Sequence, residues 1–193
     1  MHWQVLFSES LAFAEFDGAP QWVINLYTSH LNAVKKALAG NRGMTGSLAL
    51  CGPTFDTPPA TDDNGKSLAY TKPILVLVDN FTLSAAEIFA MFMQDSKRAT
   101  IFGTRTDGGG GNVVSFAAGA YADGSTRVTE SLITRSAPVQ TPGFPALNFY
   151  DGVGIYPDIV QDYMTAANLA TGGQPFVNAA GAAIVQSIQS GAK

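Results

Sequence analysis

Charge is scarce in this chain, and so are the residues that would build disulfides or metal sites. Asp, Glu, Lys and Arg together make up 13% of 193 residues, about half the share of roughly 25% usual in soluble domains. A surface so poor in charge is expected to be partly covered, by a neighbouring domain or by a second copy in a homo-oligomer. Eleven Lys and Arg stand against fifteen Asp and Glu, for a net charge of −4. No basic run occurs that could track a phosphate backbone, so nucleic acid is not an expected partner. The single Cys51 cannot close an intrachain disulfide, and with only two histidines, His2 and His30, there is no Cys/His cluster at zinc spacing. No metal is therefore expected. No apolar segment reaches the roughly 18 uninterrupted residues that would span a bilayer. Residues 1–16, MHWQVLFSESLAFAEF, lack the basic lead and the small-residue cleavage pattern of a signal peptide. A soluble chain is expected.

What the chain has is apolar content, 46% of it, enough for a sizeable core in one domain or slightly more. Residues 20–40, PQWVINLYTSHLNAVKKALAG, carry apolar side chains at 23, 26, 27, 31, 34 and 38, with Pro20 at the start and Gly40 at the end, and predict an amphipathic helix. SLALC, 47–51, reads as a short strand. The stretch 52–72, rich in Pro, Asp and Gly, predicts a long surface loop and marks a boundary. The predicted organisation is an N-terminal helical segment over 1–51, a linker over 52–72, and a main α/β unit over 73–193.

In that main unit, ILVLV at 74–78 predicts a strand buried on both faces of a mostly parallel sheet. SAAEIFAMFMQDSK, 84–97, predicts a helix apolar nearly all round. ATIFGT at 99–104 follows, then a glycine-rich loop, DGGGGN, at 107–112. Two strand candidates, 113–119 and 126–134, flank a turn at Asp123-Gly124. Residues 137–158, with four prolines, predict an irregular excursion returning to a strand near Ile159, and 174–193 a terminal helix with Pro175 in its first turn.

Ser84 stands where the strand feeds the helix. By pattern, Ser84-Ala85-Ala86-Glu87 is a capping box. The same geometry also places a hydroxyl beside unpaired amides at the positive end of a helix, where an oxyanion can be held. The residues alone leave cap and nucleophile both open. The four glycines invite a phosphate-loop reading, but the Lys-Ser/Thr pair that completes such a loop is missing. His30 lies among apolar helix positions and predicts a half-buried packing residue with one hydrogen bond.

The run 73-PILVLVDNFTLSAAEIFAMFMQDSKRATIFGTRTDGGGG-111, followed by 153-VGIYPDI-159, resembles the tail-specific (C-terminal processing) serine peptidase family. Its members share S-A-x-E on a helix, a G-x-x-T-x-G-x-G loop and a G-V-x-P-D-I turn, in this order. The resemblance implies a crotonase/ClpP-like α/β core, here in part, and an acyl-enzyme endopeptidase mechanism without cofactor. Ser84 would be the nucleophile and the Ala85 amide an oxyanion donor. Gly108, Gly109 and Gly110 would border the cleft, letting backbone amides meet an extended peptide.

A serine needs a base. One branch of the family places a lysine in the glycine loop, where this chain has Gly109. The resemblance is therefore closer to the branch of the tricorn core, in which a histidine from an earlier segment is the base and a carboxylate near the G-V-x-P-D turn supports it. By that match the carboxylate is Asp151, where the family more often has glutamate. Asp158 is expected to bond backbone amides in the turn. Neither histidine lies in a segment resembling the family's histidine region. The chain is therefore expected to be the C-terminal part of a catalytic domain, with the missing N-terminal part of the same protein as a partner and a peptide or protein as substrate. A non-catalytic peptide-binding or assembly module of the same fold is the alternative. By the same resemblance, the parent protein is expected to be periplasmic or secreted.

Overall fold

The computed structural model describes residues 2–49, 59–120 and 123–190. The chain divides into two compact units, Met1–Ala69 and Tyr70–Lys193. In the first, α1 (His2–Phe16) and α2 (Gln21–Ala39) form a helical hairpin. Pro20 caps the start of α2, and Gly40 ends it. The buried residues of α2, His30, Leu31, Val34 and Ala37, fall on one stripe at helical spacing. His30 is a packing residue: Nε2 lies 2.9 Å from the Ala49 carbonyl oxygen and its ring sits 5.0 Å from that of Phe7. Residues 47–49 of the expected strand have no regular structure, and the remaining two lie outside the described residues. So do 52–58 of the expected loop; from 59 onward it is irregular apart from a Thr61–Ser67 bridge.

The second unit opens with β1 (Leu75–Val78), α3 (Ala85–Asp95) and β2 (Thr100–Gly103). It continues through β3 (Asn112–Ala117), β4 (Ser125–Ser131), β5 (Thr134–Val139), β6 (Leu147–Phe149) and β7 (Ile159–Val160). Two helices, α4 (Ala166–Ala170) and α5 (Gln174–Gln189), end it. A parallel sheet runs β1-β2-β7, with Val76 opposite Ile101 and Phe102 opposite Ile159. Side chains alternate across it. Val76, Val78 and Ile101 meet Ala90 and Met93 of α3 on one face. On the other face Phe102 packs edge-on against Phe176 of α5, which in turn meets Tyr163.

Three expectations are corrected. β1 is not buried on both faces: Val78 is buried but Leu77, which points to the opposite face, is 54% exposed. Helix α3 is not buried all round: Glu87, Ala90 and Met91 are buried and Ile88 and Met93 partly so, while Phe89 and Phe92 lie outside. The excursion at 137–158 is less irregular than expected. There β5 and β6 pair antiparallel, joined by a turn in which Pro142 and Gly143, with φ +84°, bring the Phe144 amide to the Thr141 carbonyl at 3.0 Å. The short helix α4, begun by Thr165 accepting from the Asn168 amide, carried too brief an apolar pattern to be predicted.

Asp158 is structural, but as a clamp between elements rather than a local turn. Its Oδ2 accepts from the Ile101 amide at 2.8 Å, its Oδ1 from the Gln94 side chain at 2.9 Å, and its own amide donates to Ile101 O at 2.8 Å. The last residue of β2, Gly103, has φ +136°, and a Cβ there would lie 1.8 Å from Val78 O. Only glycine lets β1 and β2 end side by side here. Both strands therefore release their following loops at the carboxyl end of the sheet, where open α/β folds place their sites.

Candidate active site

After β1 the chain turns through Asp79–Thr82. Asp79 Oδ1 accepts from the amides of Phe81 and Thr82 at 2.9 and 3.1 Å, and the Asp79 amide donates to Thr82 Oγ1 at 3.1 Å. This Asx-type turn leaves Phe81 and Leu83 standing out, 85% and 50% exposed. Ser84 follows at φ +59°, ψ −118°, a conformation sparsely populated by any residue with a Cβ. Such strain costs on the order of 1–3 kcal/mol and persists only where the surroundings over-determine it.

The over-determining group is Glu87, one helical turn on and fully buried. Its Oε2 accepts from the Ser84 amide at 3.0 Å. Its Oε1 accepts from Thr106 Oγ1 at 2.5 Å and from the Gly108 amide at 2.8 Å. Thr106 Oγ1 in turn accepts from the Ile155 amide at 2.7 Å, and the Thr106 amide donates to Ile155 O at 3.1 Å. One carboxyl group thus joins the elbow, the glycine loop and the 150–158 turn. Half of the capping box is what the sequence predicted. In the other half the Ser84 side chain faces the Glu87 amide, but that amide donates to the Ser84 carbonyl at 2.9 Å, so the hydroxyl makes no cap hydrogen bond. Ser84 is exposed. Ala85, next to it, opens α3, where an amide has no intrahelical acceptor.

The glycine loop is fitted to its own chain. A Cβ at Gly108, φ +94°, would lie 2.9 Å from the Gly154 nitrogen, and one at Gly110 2.5 Å from the Tyr150 ring. Gly109 lies against the residue before the serine: a Cβ there would stand 2.1 Å from Leu83 Cδ1. The close approach these glycines permit is thus first of all to Tyr150, Leu83 and the 152–154 backbone. The Gly152 amide donates to Gly108 O at 2.7 Å and holds Asp151, half-buried at the head of that turn, beside the loop. Arg105 fastens the same region, donating to Val153 O at 2.5 Å with its guanidinium 5.5 Å from the Phe144 ring centre.

The structure therefore brings Ser84, Ala85, Gly108 and Gly109 together and ties the turn bearing Asp151 to them. Residues 70–193 contain no histidine. Thr106 and Tyr150 had not been singled out. Thr106 was legible as the fixed T of the G-x-x-T-x-G loop, whereas nothing local marked Tyr150. Its ring packs with Met91 and Ile155, and its buried hydroxyl has no partner among the described residues. Burial first, and then the charges of Glu87 and Asp151, push the Tyr150 pKa up to about 12.

Two outcomes follow from this geometry. Ser84→Gly is expected to be more stable than Ser84→Ala by about 1 kcal/mol in urea unfolding, because glycine accepts φ +59° without strain and alanine does not. For Tyr150, the folded pKa lies above the value of about 10 in the unfolded chain. Its contribution is complete below pH about 10 and is lost as pH rises toward about 12. Thermal melts at pH 8 and pH 11 should therefore show a smaller alkaline loss for Tyr150→Phe than for the wild type. At pH 8 the substitution should cost under about 1 kcal/mol, since it removes a hydroxyl with no partner.

Comparison with known proteins places these elements. Residues 32–160 match peptidase family S41. The carboxy-terminal-processing protease of Bartonella bacilliformis is 38% identical over 89 residues, 46% of this chain and 18% of that protein. An uncharacterized protein of Chlamydia muridarum is 33% identical over 90 residues, 47% of this chain and 14% of its own length. The matched stretch thus covers less than a fifth of the length of these curated relatives. Among solved structures, a mutant of CPAF is similar with a TM-score of 0.62 at 22% identity, over 88% of this chain and 29% of that one. Mature CPAF complexed with lactacystin gives 0.58 at 20% identity, over 88% and 30%. At such identities the likeness is one of fold. The family match runs from α2 through the elbow and the glycine loop to β7, well over half of the chain, and the chain belongs to peptidase family S41.

Proposed function

We propose that Ser84 is the nucleophile of a serine endopeptidase with a crotonase-like core, working in the manner of the histidine-dependent branch of the family. The observation that carries this reading is the elbow: an exposed serine in a strained conformation at the mouth of a helix, its hydroxyl without a cap hydrogen bond. A helix cap needs no strain; a nucleophile presented to a cleft is a common reason to maintain it. In the proposed reaction Ser84 Oγ attacks the scissile carbonyl, and the Ala85 amide donates to the oxyanion that forms. The base takes the serine proton and returns it to the leaving amine. Water then hydrolyses the acyl-enzyme and frees Ser84.

The base is a histidine from outside residues 70–193, supported by Asp151. Gly109 supplies no lysine, and Leu83 lies against it. His30 fits the role poorly, because its Nε2 is engaged with Ala49 O. Partial coverage of the relatives supports reading the chain as part of a larger catalytic domain, with a peptide or protein as substrate. The family resemblance favours an exported parent protein. Among the described residues no helix is long and apolar enough to cross a membrane. A second reading, a peptide-binding module that kept the fold without the base, is favoured by the absence of histidine from the second unit.

Covalent labelling by a fluorophosphonate probe, read by intact mass between pH 6 and 9, separates the two. Slow labelling is expected, abolished by Ser84→Ala, with no inflection near the imidazole pKa of about 6.5 because the chain lacks its base. Folded wild-type protein that never labels, or labelling that survives Ser84→Ala, overturns the nucleophile reading.

A further inference from the structure

The proposed chemistry uses only the carboxyl end of the parallel sheet. At the amino ends of its strands lies a cavity of about 290 Å³, bounded by Pro73 and Ile74 ahead of β1, Thr100 at the start of β2, Asp158 ahead of β7, and Ser187 of α5. Lys97 and Arg98, which follow α3, also line it. Ligand pockets begin at about 300 Å³, so the space suits a small molecule. Two of its polar side chains are already engaged. Both carboxyl oxygens of Asp158 accept, from Gln94 and from the Ile101 amide, and the Gln94 side chain also bonds Tyr156 O and Arg135.

What the wall has free is positive charge and hydroxyl groups. Among the described residues neither Lys97 nor Arg98 has a carboxylate partner; the ion pair at this end of α3 joins Arg135 to Asp95. Arg98 donates to Lys72 O and Tyr70 O at 3.1 and 2.6 Å, with its guanidinium 5.8 Å from the Tyr70 ring centre. It is thereby fixed in place with further N–H groups unused. The Lys97 amine and the hydroxyls of Thr100 and Ser187 have no partner among the described residues. Two positive charges against the one negative charge of Asp158 leave the cavity net positive, in a chain whose net charge is −4. Lys97 also has φ +54°, directly after the C-cap Ser96, a position that glycine or asparagine takes most readily. The helix end does not call for lysine there, because its last carbonyls already accept from the amides of Ser96, Lys97, Arg98 and Ala99. A strained residue with a free charge at the rim of a cavity points to a ligand rather than to the needs of the fold.

We propose that this cavity binds a small organic anion, a carboxylate or phosphate ester bearing a short apolar group. The Lys97 amine and the unused N–H groups of Arg98 hold the anionic oxygens by charge-assisted hydrogen bonds, and the Thr100 and Ser187 hydroxyls donate beside them. Pro73 and Ile74 flank the apolar group. The site lies at the end of the sheet away from Ser84 and does not depend on the peptidase reading.

The test is a titration of the full chain followed by the NMR shifts of its backbone amides, with isovalerate and inorganic phosphate as probes and chloride holding the ionic strength constant. Saturable shifts are expected at Lys97, Arg98, Thr100 and Ser187. Saturation by isovalerate alone identifies the ligand as a carboxylate and saturation by phosphate alone as a phosphate ester; either supports the site. Lys97→Gly removes the amine and accepts φ +54° without strain, so the fold is kept. It should weaken binding about fivefold or more, while Lys97→Arg stays within about twofold of the wild type. Fluorophosphonate labelling of Ser84 should be the same in all three chains. Shifts that never saturate with either probe, shifts confined to other elements, or binding undiminished by Lys97→Gly overturns the proposal.

Discussion

Everything at the site hangs on the buried carboxyl group of Glu87. A polar group with no access to solvent must find its hydrogen bonds inside the protein, and leaving any of its partners unsatisfied costs about 1–3 kcal/mol each. Glu87 accepts three such bonds from two separate stretches of chain, the elbow and the glycine loop, and Thr106 carries the link on to a third at Ile155. The Ser84 amide, the Gly108 amide, the Thr106 hydroxyl and the Ile155 amide are therefore not independent features. Move one segment and the others lose their partners.

That dependence explains how an unfavourable serine conformation is maintained. The parallel strands β1 and β2 end together, with Gly103 permitting their close approach, and two loops leave the sheet at the same edge. Turn chemistry at Asp79 shapes the first loop, and glycines shape the second so that it can lie against the 150–154 backbone. Glu87 closes the gap between them. Strain at Ser84 is then offset by bonds made elsewhere, which is the usual arrangement where a side chain must be presented rather than merely packed.

Much of this was legible in the sequence because the relevant signals are local. The strand-to-helix junction at Ser84, the capping relation of Ser84 to Glu87, the α2 stripe with His30 and the hairpin around Gly124 each depend on residues close in the chain. Less legible was what depends on distant partners. Glu87 read as a helix cap because its bonds to Thr106 and Gly108 span about twenty positions. The outward faces of Phe89 and Phe92 could not be distinguished from core by apolarity, since periodicity does not reveal which faces of a sheet receive a helix. The glycine loop was read by what an absent side chain would offer a ligand. Its first occupants are Tyr150, Leu83 and the turn at 152–154.

The central claim is that Glu87 couples these segments into one unit, and amide hydrogen exchange measures such coupling directly. In the wild type, the amides of Ser84, Gly108 and Ile155 should exchange slowly and open together. In Glu87→Gln, where one acceptor oxygen becomes a donor group, all three should lose protection while the amides of β1 and β2 keep theirs. Loss of protection at Ser84 alone, with Gly108 and Ile155 unchanged, would contradict the account and reduce Glu87 to the helix cap that its sequence pattern suggests.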